Sequence, residues 1–195
     1  MRDYANYDGL GLAELVRKRD VTPTELLDAA IERIERSNPK LNAVVYKAYD
    51  EARATAASAP PDGPFKGVPF LIKDLGVRVK NWPRTSASRF AQIDADAEDS
   101  ELTKRYRASG VVLAGKTNTP EFGFGSQSYN PVFGATGCAY DPLLTAGGSS
   151  GGAACGLATR MLPVADGSDM MGSLRNPGAF NNVIGFRPTQ GRVPD

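Results

Sequence analysis

Histidine is absent from this sequence of 195 residues, and its absence restricts the chemistry more than any other feature of the composition. Hydrolases of the Ser-His-Asp and Cys-His types need an imidazole as general base, so neither mechanism can operate within this chain alone. If a serine or a cysteine is activated here, another group must accept its proton, and lysine is the usual substitute.

Cysteine is scarce as well, since Cys138 and Cys155 are the only thiols and neither lies in a CxxC pattern. We therefore expect neither a disulfide framework nor a zinc site, and two free thiols fit a cytoplasmic protein. No apolar run approaches the roughly 18 residues that a membrane helix needs. The first residues lack the basic and apolar regions of a signal peptide, so secretion is not expected.

An excess of charge of one sign is also lacking, because 23 basic and 22 acidic residues leave a net charge of +1. Such a balance produces no strong field, so we expect no nucleic-acid or membrane partner. Hydrophobic residues make up 41% of the chain and charged residues 23%, as in an ordinary globular protein.

The clearest local signal that is present is a helix near the N-terminus. Thr22, followed by Pro23 and then Glu25, forms a capping box with proline at the first helical position. Apolar residues then recur on one face, and we predict that the Asn38–Pro39 pair ends the helix. Further along, short apolar runs alternate with helical patterns, which is typical of an α/β sheet with helices on its faces. The predicted strands are NAVVY, GVPFLIKD, VVLAGKT, LPVADGSD and VIGFRPT.

The stretch GVVLAGKT, residues 110–117, matches the phosphate-loop pattern G-x-x-x-x-G-K-[ST]. That loop needs a strand before its first glycine and a helix after its Lys-Thr pair. Here a helical pattern precedes Gly110, and proline and glycines follow Thr117. We therefore interpret the stretch as a buried strand that leads into a polar turn. Stabilisation by ATP with magnesium would favour the nucleotide-binding alternative.

Three polar features are candidates for chemistry, and each has a structural alternative. The loop GGSSGG, residues 147–152, runs into a helix and could be a tight functional turn or a flexible linker. Ser173 lies in a turn whose backbone N–H groups could bind an oxyanion, or it could simply cap a helix. Lys73 follows an apolar strand, so burial could lower its pKa, although for Lys73 taken alone a surface pair with Asp74 is the favoured explanation.

In combination, these features resemble the amidase signature family of serine hydrolases. Four motifs occur in that family's order, at residues 67–74, 115–123, 147–152 and 167–192, and the N-terminal helical region is also similar. The resemblance implies an α/β amidase signature fold with a mixed β-sheet core covered by α-helices on both faces. Residues 1–195 would be the N-terminal portion of a single amidase domain, whose C-terminal part lies outside this sequence.

The resemblance further implies a Ser-Ser-Lys triad and no cofactor or metal. Ser173 would be the nucleophile, Ser149 the bridging serine after a cis peptide bond to Gly148, and Lys73 the base. Neutral Lys73 would accept a proton from Ser149, which accepts one from Ser173 as that serine attacks an amide carbonyl and forms an acyl-enzyme.

Supporting roles follow from the same resemblance. Ser150 would stabilise the loop, and an ion pair between Asp169 and Arg175 would brace the turn. Backbone N–H groups would form the oxyanion hole, namely those of Met170, Met171, Gly172 and Ser173. Departures from the family pattern include Met171 in place of a usual glycine and Ser168 in place of a usual threonine. Met171 would narrow the space beside the oxyanion hole and so alter which acyl groups fit.

The implied function is hydrolysis of carbon–nitrogen bonds in a small carboxamide, aryl amide or carbamate. The remainder of the amidase chain would be its structural partner, and a homodimer is compatible with the resemblance. One alternative is the glutamine-hydrolysing subunit of a tRNA-dependent amidotransferase, which works with partner subunits. A second alternative, from a different class, is a non-catalytic binding module on the amidase scaffold.

Overall fold

A mixed sheet of three strands organises the chain in the computed structural model, which describes residues 1, 3–91 and 95–193. The strands are β1 (Val44–Lys47), β2 (Pro69–Lys73) and β3 (Val112–Thr117), and β3 lies between the other two. It runs parallel to β2 and antiparallel to β1. Both β2 and β3 are buried along their whole length, as expected for strands covered on both faces.

The pairing between β2 and β3 contains a bulge. Phe70 pairs with Leu113, but the next residue, Leu71, pairs with Gly115, so Ala114 is the additional residue on β3. Gly115 also lies against β1, where an added Cβ would stand 2.0 Å from the carbonyl oxygen of Tyr46. Only glycine allows the two backbones to approach this closely.

Helices cover both faces of the sheet. They are α1 (Gly9–Lys18), α2 (Pro23–Leu41), α3 (Tyr49–Ala57), α4 (Glu101–Ala108), α5 (Gly151–Ala158) and α6 (Arg175–Phe180). Leu71 and Val112 face a core formed with α1, α2 and α5, whereas Phe70 and Leu113 face a second core beside Tyr106 of α4. This arrangement confirms the predicted α/β class. None of the helices in the described residues is long and apolar enough to span a membrane.

The predicted capping box of α2 is confirmed, but the predicted end of that helix is wrong. The Thr22 hydroxyl accepts the N–H of Glu25 at 3.2 Å, and the Glu25 carboxylate accepts the N–H of Thr22 at 2.7 Å. The helix continues through Pro39 to Leu41. Burial of Leu41 favours this last turn, and Asn42 ends the helix with a positive φ of 51°.

Two predicted strands do not form within the described residues. LPVADGSD runs beside β2 without becoming a strand, because a side chain replaces part of the backbone ladder. The Asp166 N–H donates to the Leu71 carbonyl at 3.0 Å, but the Lys73 N–H donates to the Asp166 carboxylate, also at 3.0 Å. VIGFRPT follows α6 as an irregular segment.

Candidate active site

Lys73 ends strand β2 and is completely buried. Its Nζ donates to Ser149 Oγ at 2.6 Å and to Ser168 Oγ at 2.9 Å. The surface pair with Asp74 considered from the sequence is wrong, because successive strand residues point to opposite faces. Asp74 instead accepts a hydrogen bond from the buried Lys116 Nζ at 3.2 Å.

Burial lowers the pKa of Lys73 from 10.5 to about 8. The cause is loss of hydration, which disfavours the ammonium more than the neutral amine. The negative charges of Asp166 and Asp169 oppose this effect. A substantial fraction of the side chain is therefore the free amine at mildly alkaline pH, and this form can accept a proton from Ser149.

Ser149 lies in the loop that enters α5, and only 2% of its surface is exposed. The peptide bond between Gly148 and Ser149 is cis. Ser128 holds the loop from the other side, because its hydroxyl donates to the Ser149 carbonyl at 3.3 Å and accepts the Gly151 N–H at 2.9 Å. The backbone of Ser149 is thus fixed while its hydroxyl faces Lys73.

The glycines of this loop permit close backbone contacts. A Cβ on Gly148 would lie 2.7 Å from the N atom of Gln127, and one on Gly152 would lie 2.5 Å from the N atom of Asn118. Neither position has room for a side chain. The alternative of a flexible linker is therefore wrong, since the stretch is buried and opens a helix.

The second serine motif forms a turn around the carboxylate of Asp169, whose side chain is fully buried. One carboxylate oxygen accepts the Gly172 N–H at 2.7 Å, and the other accepts the Leu174 N–H at 3.0 Å. Arg175 adds two hydrogen bonds of 3.0 Å from Nε and Nη2. These bonds, those of Arg175 foremost, hold the pKa of Asp169 well below its usual range.

Arg187 is a second cation at this turn. Its Nε donates to the Asp169 carbonyl at 2.9 Å and lies 3.7 Å from the carboxylate. The ion pair between Asp169 and Arg175 was expected from the sequence, but the contribution of Arg187 was not. The turn is therefore tied to the segment that follows α6.

Ser150 joins the glycine loop to the turn. Its hydroxyl donates to the Ser168 carbonyl and accepts the Ser168 N–H, both at 3.2 Å. Its own N–H donates to the carbonyl oxygen of Ser173 at 3.1 Å. Three hydrogen bonds of one residue therefore connect the two serine motifs.

Ser173 follows Gly172, whose φ is +115°, and lies two residues before the first residue of α6. Among the described residues, no hydrogen bond links its Oγ to Ser149 Oγ. The hydrogen bond between Lys73 and Ser149 is therefore formed in this structure, whereas no hydrogen bond between the Ser149 and Ser173 hydroxyls is found among the described residues.

The four backbone N–H groups expected to bind an oxyanion differ in their contacts. That of Gly172 donates to Asp169. Those of Met170, Met171 and Ser173 have no acceptor within the part of the chain that the structure describes. The side chains of Met170 and Met171 are 86% and 87% exposed. Three N–H groups are therefore free to bind a ligand beside two exposed thioethers.

The phosphate-loop match has a structural explanation. Gly115, Lys116 and Thr117 all belong to strand β3. The Nζ of Lys116 is directed away from solvent and donates to the Pro83 carbonyl at 2.6 Å and to Asp74. Because both the backbone and the lysine are occupied, this stretch lacks the cradle that a phosphate requires.

Sequence reasoning missed three groups around Lys73. Ser168 was noted only as a departure from the family pattern, although it accepts a hydrogen bond from the amine. Asp166 and Tyr106 were not singled out. The Tyr106 hydroxyl donates a hydrogen bond of 2.6 Å to the Asp166 carboxylate beside the end of β2. No local pattern marks these two, but Asp166 directly after the apolar residues 162–165 of the predicted strand was a usable signal.

Comparison with known proteins supports the same family. The sequence profile described as Amidase matches residues 25–195. The chain is 39% identical over 188 residues to the 6-aminohexanoate-cyclic-dimer hydrolase of Paenarthrobacter ureafaciens, covering 95% of this chain and 38% of that protein. It is 35% identical over 199 residues to a subunit of the glutamyl-tRNA(Gln) amidotransferase of Corynebacterium jeikeium, covering 98% and 40%.

A solved structure extends the comparison to the fold. A bacterial aryl acylamidase of the amidase signature family superimposes with a TM-score of 0.89 and 39% identity, over 96% of this chain and 40% of that one. The chain thus spans about two fifths of the length of these relatives. On the profile match, the sequence identity and the shared fold, this chain belongs to the amidase family.

Proposed function

We propose that this chain carries the catalytic triad of an enzyme that hydrolyses carbon–nitrogen bonds in small carboxamides, aryl amides or carbamates. The main support is the hydrogen bond of 2.6 Å between the buried Lys73 Nζ and Ser149 Oγ. In a chain without histidine, a desolvated lysine beside a serine is an arrangement that can supply a general base.

The proposed reaction begins with the neutral amine of Lys73. The amine takes the hydroxyl proton of Ser149, which takes that of Ser173 as Ser173 Oγ bonds to the substrate carbonyl carbon. Collapse of the tetrahedral intermediate breaks the carbon–nitrogen bond, and the leaving amine receives the proton through the same relay. Water then hydrolyses the acyl-enzyme, which releases a carboxylic acid and restores Ser173.

For this relay, Ser173 Oγ has to form a hydrogen bond with Ser149 Oγ that the described residues do not show. Catalytic hydrogen bonds are often loose without substrate and tighten when it binds. The free N–H groups of Met170, Met171 and Ser173 are the best candidates to stabilise the oxyanion, since that of Gly172 is bonded to Asp169.

The relatives guide the choice of substrate class. One is named as a hydrolase of a cyclic 6-aminohexanoate dimer and another as an aryl acylamidase, which supports amides as the substrates to test first. The similarity to an amidotransferase subunit supports a second candidate, hydrolysis of glutamine in a complex with partner subunits. Activity confined to glutamine would favour that candidate.

We also propose that residues 1–195 act as the N-terminal portion of a longer amidase domain. The relatives are more than twice as long, and apolar side chains are exposed next to the serine turn, with Ile184 90% and Phe186 75% exposed. Folding with further chain would cover them. Two unpaired buried thiols, Cys138 and Cys155, support a cytoplasmic location.

The test is labelling with a fluorophosphonate followed by peptide mapping, on this chain and on any longer parent chain. We expect Ser173 to be labelled, and Ser173→Ala and Lys73→Met to lose the label. Ser58→Ala, at an exposed serine that follows α3, is the control and should label normally. A folded parent that does not react would overturn the proposal in favour of a non-catalytic binding module.

A further inference from the structure

Asp166 is a buried carboxyl group that the proposed relay does not use directly. It is 6% exposed and lies in the irregular segment beside the end of β2. Its backbone N–H donates to the Leu71 carbonyl, and its Oδ2 accepts the Lys73 N–H, both at 3.0 Å. Asp166 therefore holds β2 at two points, one of them on the backbone of the proposed base itself.

A second residue holds Asp166 in this position. The Tyr106 hydroxyl of α4 donates to Asp166 Oδ1 at 2.6 Å. The Tyr106 ring packs against that of Phe70 with centroids 4.9 Å apart, so its direction is fixed by β2 as well. Both carboxyl oxygens are thus satisfied by donors from two different elements, as a buried carboxyl group requires.

Few other charges face the Lys73 amine within the described residues. Asp166 and Asp169 are the carboxylates that favour its charged form. On β3, Lys116 is bonded to Asp74 on the opposite face. On α5, burial raises the pKa of Cys155 to about 12, so that thiol is neutral. Burial also raises the pKa of Asp166, while its bonds to Tyr106 and Lys73 oppose that rise.

We propose that Asp166, held by Tyr106, is a positioning residue for Lys73. It fixes the end of β2 so that the amine reaches Ser149 Oγ, and its carboxylate is one of the two acidic groups that act on that amine. This inference rests on the proposed function, since it assigns a role toward the proposed base.

Two substitutions separate the two contributions. Asp166→Asn keeps an oxygen that can accept the Lys73 N–H but removes the charge. Asp166→Ala removes both. Tyr106→Phe removes only the donor that holds Asp166. Asp96→Asn is the matched control. Asp96 is a buried carboxyl group like Asp166, but it lies 3.6 Å from Arg84 and forms no hydrogen bond with Lys73.

Two measurements on each variant of the chain keep the outcome clear. The first is the rate of fluorophosphonate labelling from about pH 6 to 10. The second is the titration of Lys73 by NMR with lysine labelled at the ε carbon, assigned by Lys73→Met, which needs no catalytic activity.

For Asp166→Asn we expect the midpoint of the Lys73 titration to move to lower pH by roughly one unit. The pH range in which the labelling rate rises should move by the same amount. For Asp166→Ala we expect a loss of labelling of about tenfold or more at every pH, and for Tyr106→Phe a smaller loss. An Asp166→Asn titration equal to that of the wild type would overturn the charge effect. An Asp166→Ala variant that only melts earlier, with unchanged labelling, would reduce Asp166 to a structural residue.

The proposed function and this inference can fail separately. If the wild type never labels but the Lys73 titration still moves in Asp166→Asn, the positioning role stands and the hydrolase proposal fails. If the wild type labels at Ser173 and neither measurement responds to Asp166, the hydrolase proposal stands and this inference is rejected.

Discussion

The Ser150 N–H donates to the carbonyl oxygen of Ser173 at 3.1 Å, so the residue after the proposed bridging serine is hydrogen-bonded to the proposed nucleophile. The backbones that carry the two serines therefore cannot drift apart independently. Neither motif forms this bond alone, because one belongs to the entrance of α5 and the other to the turn before α6.

The pH dependence of labelling is the first prediction. Because only the neutral amine of Lys73 can accept a proton, the labelling rate at Ser173 should rise with pH and level off above about 8. In Lys73→Met the labelling rate should fall by roughly 100-fold or more and should no longer rise with pH in this way. Lys104→Met, at an exposed lysine, is the control. If the labelling rate of Lys73→Met still rose with pH in the same range, the titrating group would be one other than Lys73.

The second prediction concerns stability. Since the pKa of Lys73 is lowered by folding, the unfolded chain binds more protons between about pH 8 and 10.5, and the free energy of unfolding should rise across that window. Across this window the free energy of unfolding of the wild type should rise by on the order of 3 kcal/mol relative to that of Lys73→Met. Urea unfolding can be followed by the fluorescence of Trp82, the single, buried tryptophan. A difference independent of pH would contradict the lowered pKa.

The third prediction concerns Asp169. Its pKa is lowered in the folded state, so its contribution to stability is complete above the ordinary carboxyl range and is lost as the pH falls. Asp169→Asn should cost about 2 kcal/mol at neutral pH, and this cost should decrease in acid. Asp62→Asn removes an exposed pair with Lys66 and should cost little at either pH. Equal costs for the two variants would show that the turn does not depend on this carboxylate.

The fourth prediction concerns the buried pair of Lys116 and Asp74. Lys116→Met leaves the Asp74 carboxylate without its cation and should destabilise the chain by about 3–5 kcal/mol. The double variant with Asp74→Asn should recover part of this loss, because no unpaired charge then remains. Thermal unfolding of the two single variants and the double variant gives the coupling energy. Additive losses would mean that the two groups do not interact.

Much of the fold and the proposed triad could be predicted because the signals are local or belong to short motifs. The capping box of α2 needs only Thr22 and Glu25, and both bonds form. The motifs around Lys73, Ser149 and Ser173 indicated the family that the comparisons then showed. Their order along the chain carried that information.

Other features depend on contacts that no local pattern encodes. Asp166 bonds to the backbone of a residue 93 positions away, and this bond replaces the strand that was predicted there. The end of α2 depends on burial of Leu41, which outweighs the tendency of proline to stop a helix. The absence of a pair between Lys73 and Asp74 could not be predicted either, because it depends on which face of β2 each side chain occupies.

The bulge at Ala114 has a consequence for the two lysines of the sheet. With an unbroken register, Lys116 would pair with Lys73, and both amines would compete for the same side of the sheet. Because Ala114 has no partner on β2, Lys116 pairs with Ile72 instead, and the side chains of Lys116 and Lys73 lie on opposite sides of the sheet. One side then holds a lysine that is ion-paired with a carboxylate, and the other holds a lysine that can release its proton. Adding or deleting one residue in β3 would therefore disturb the proposed proton transfer without touching any residue of the proposed triad.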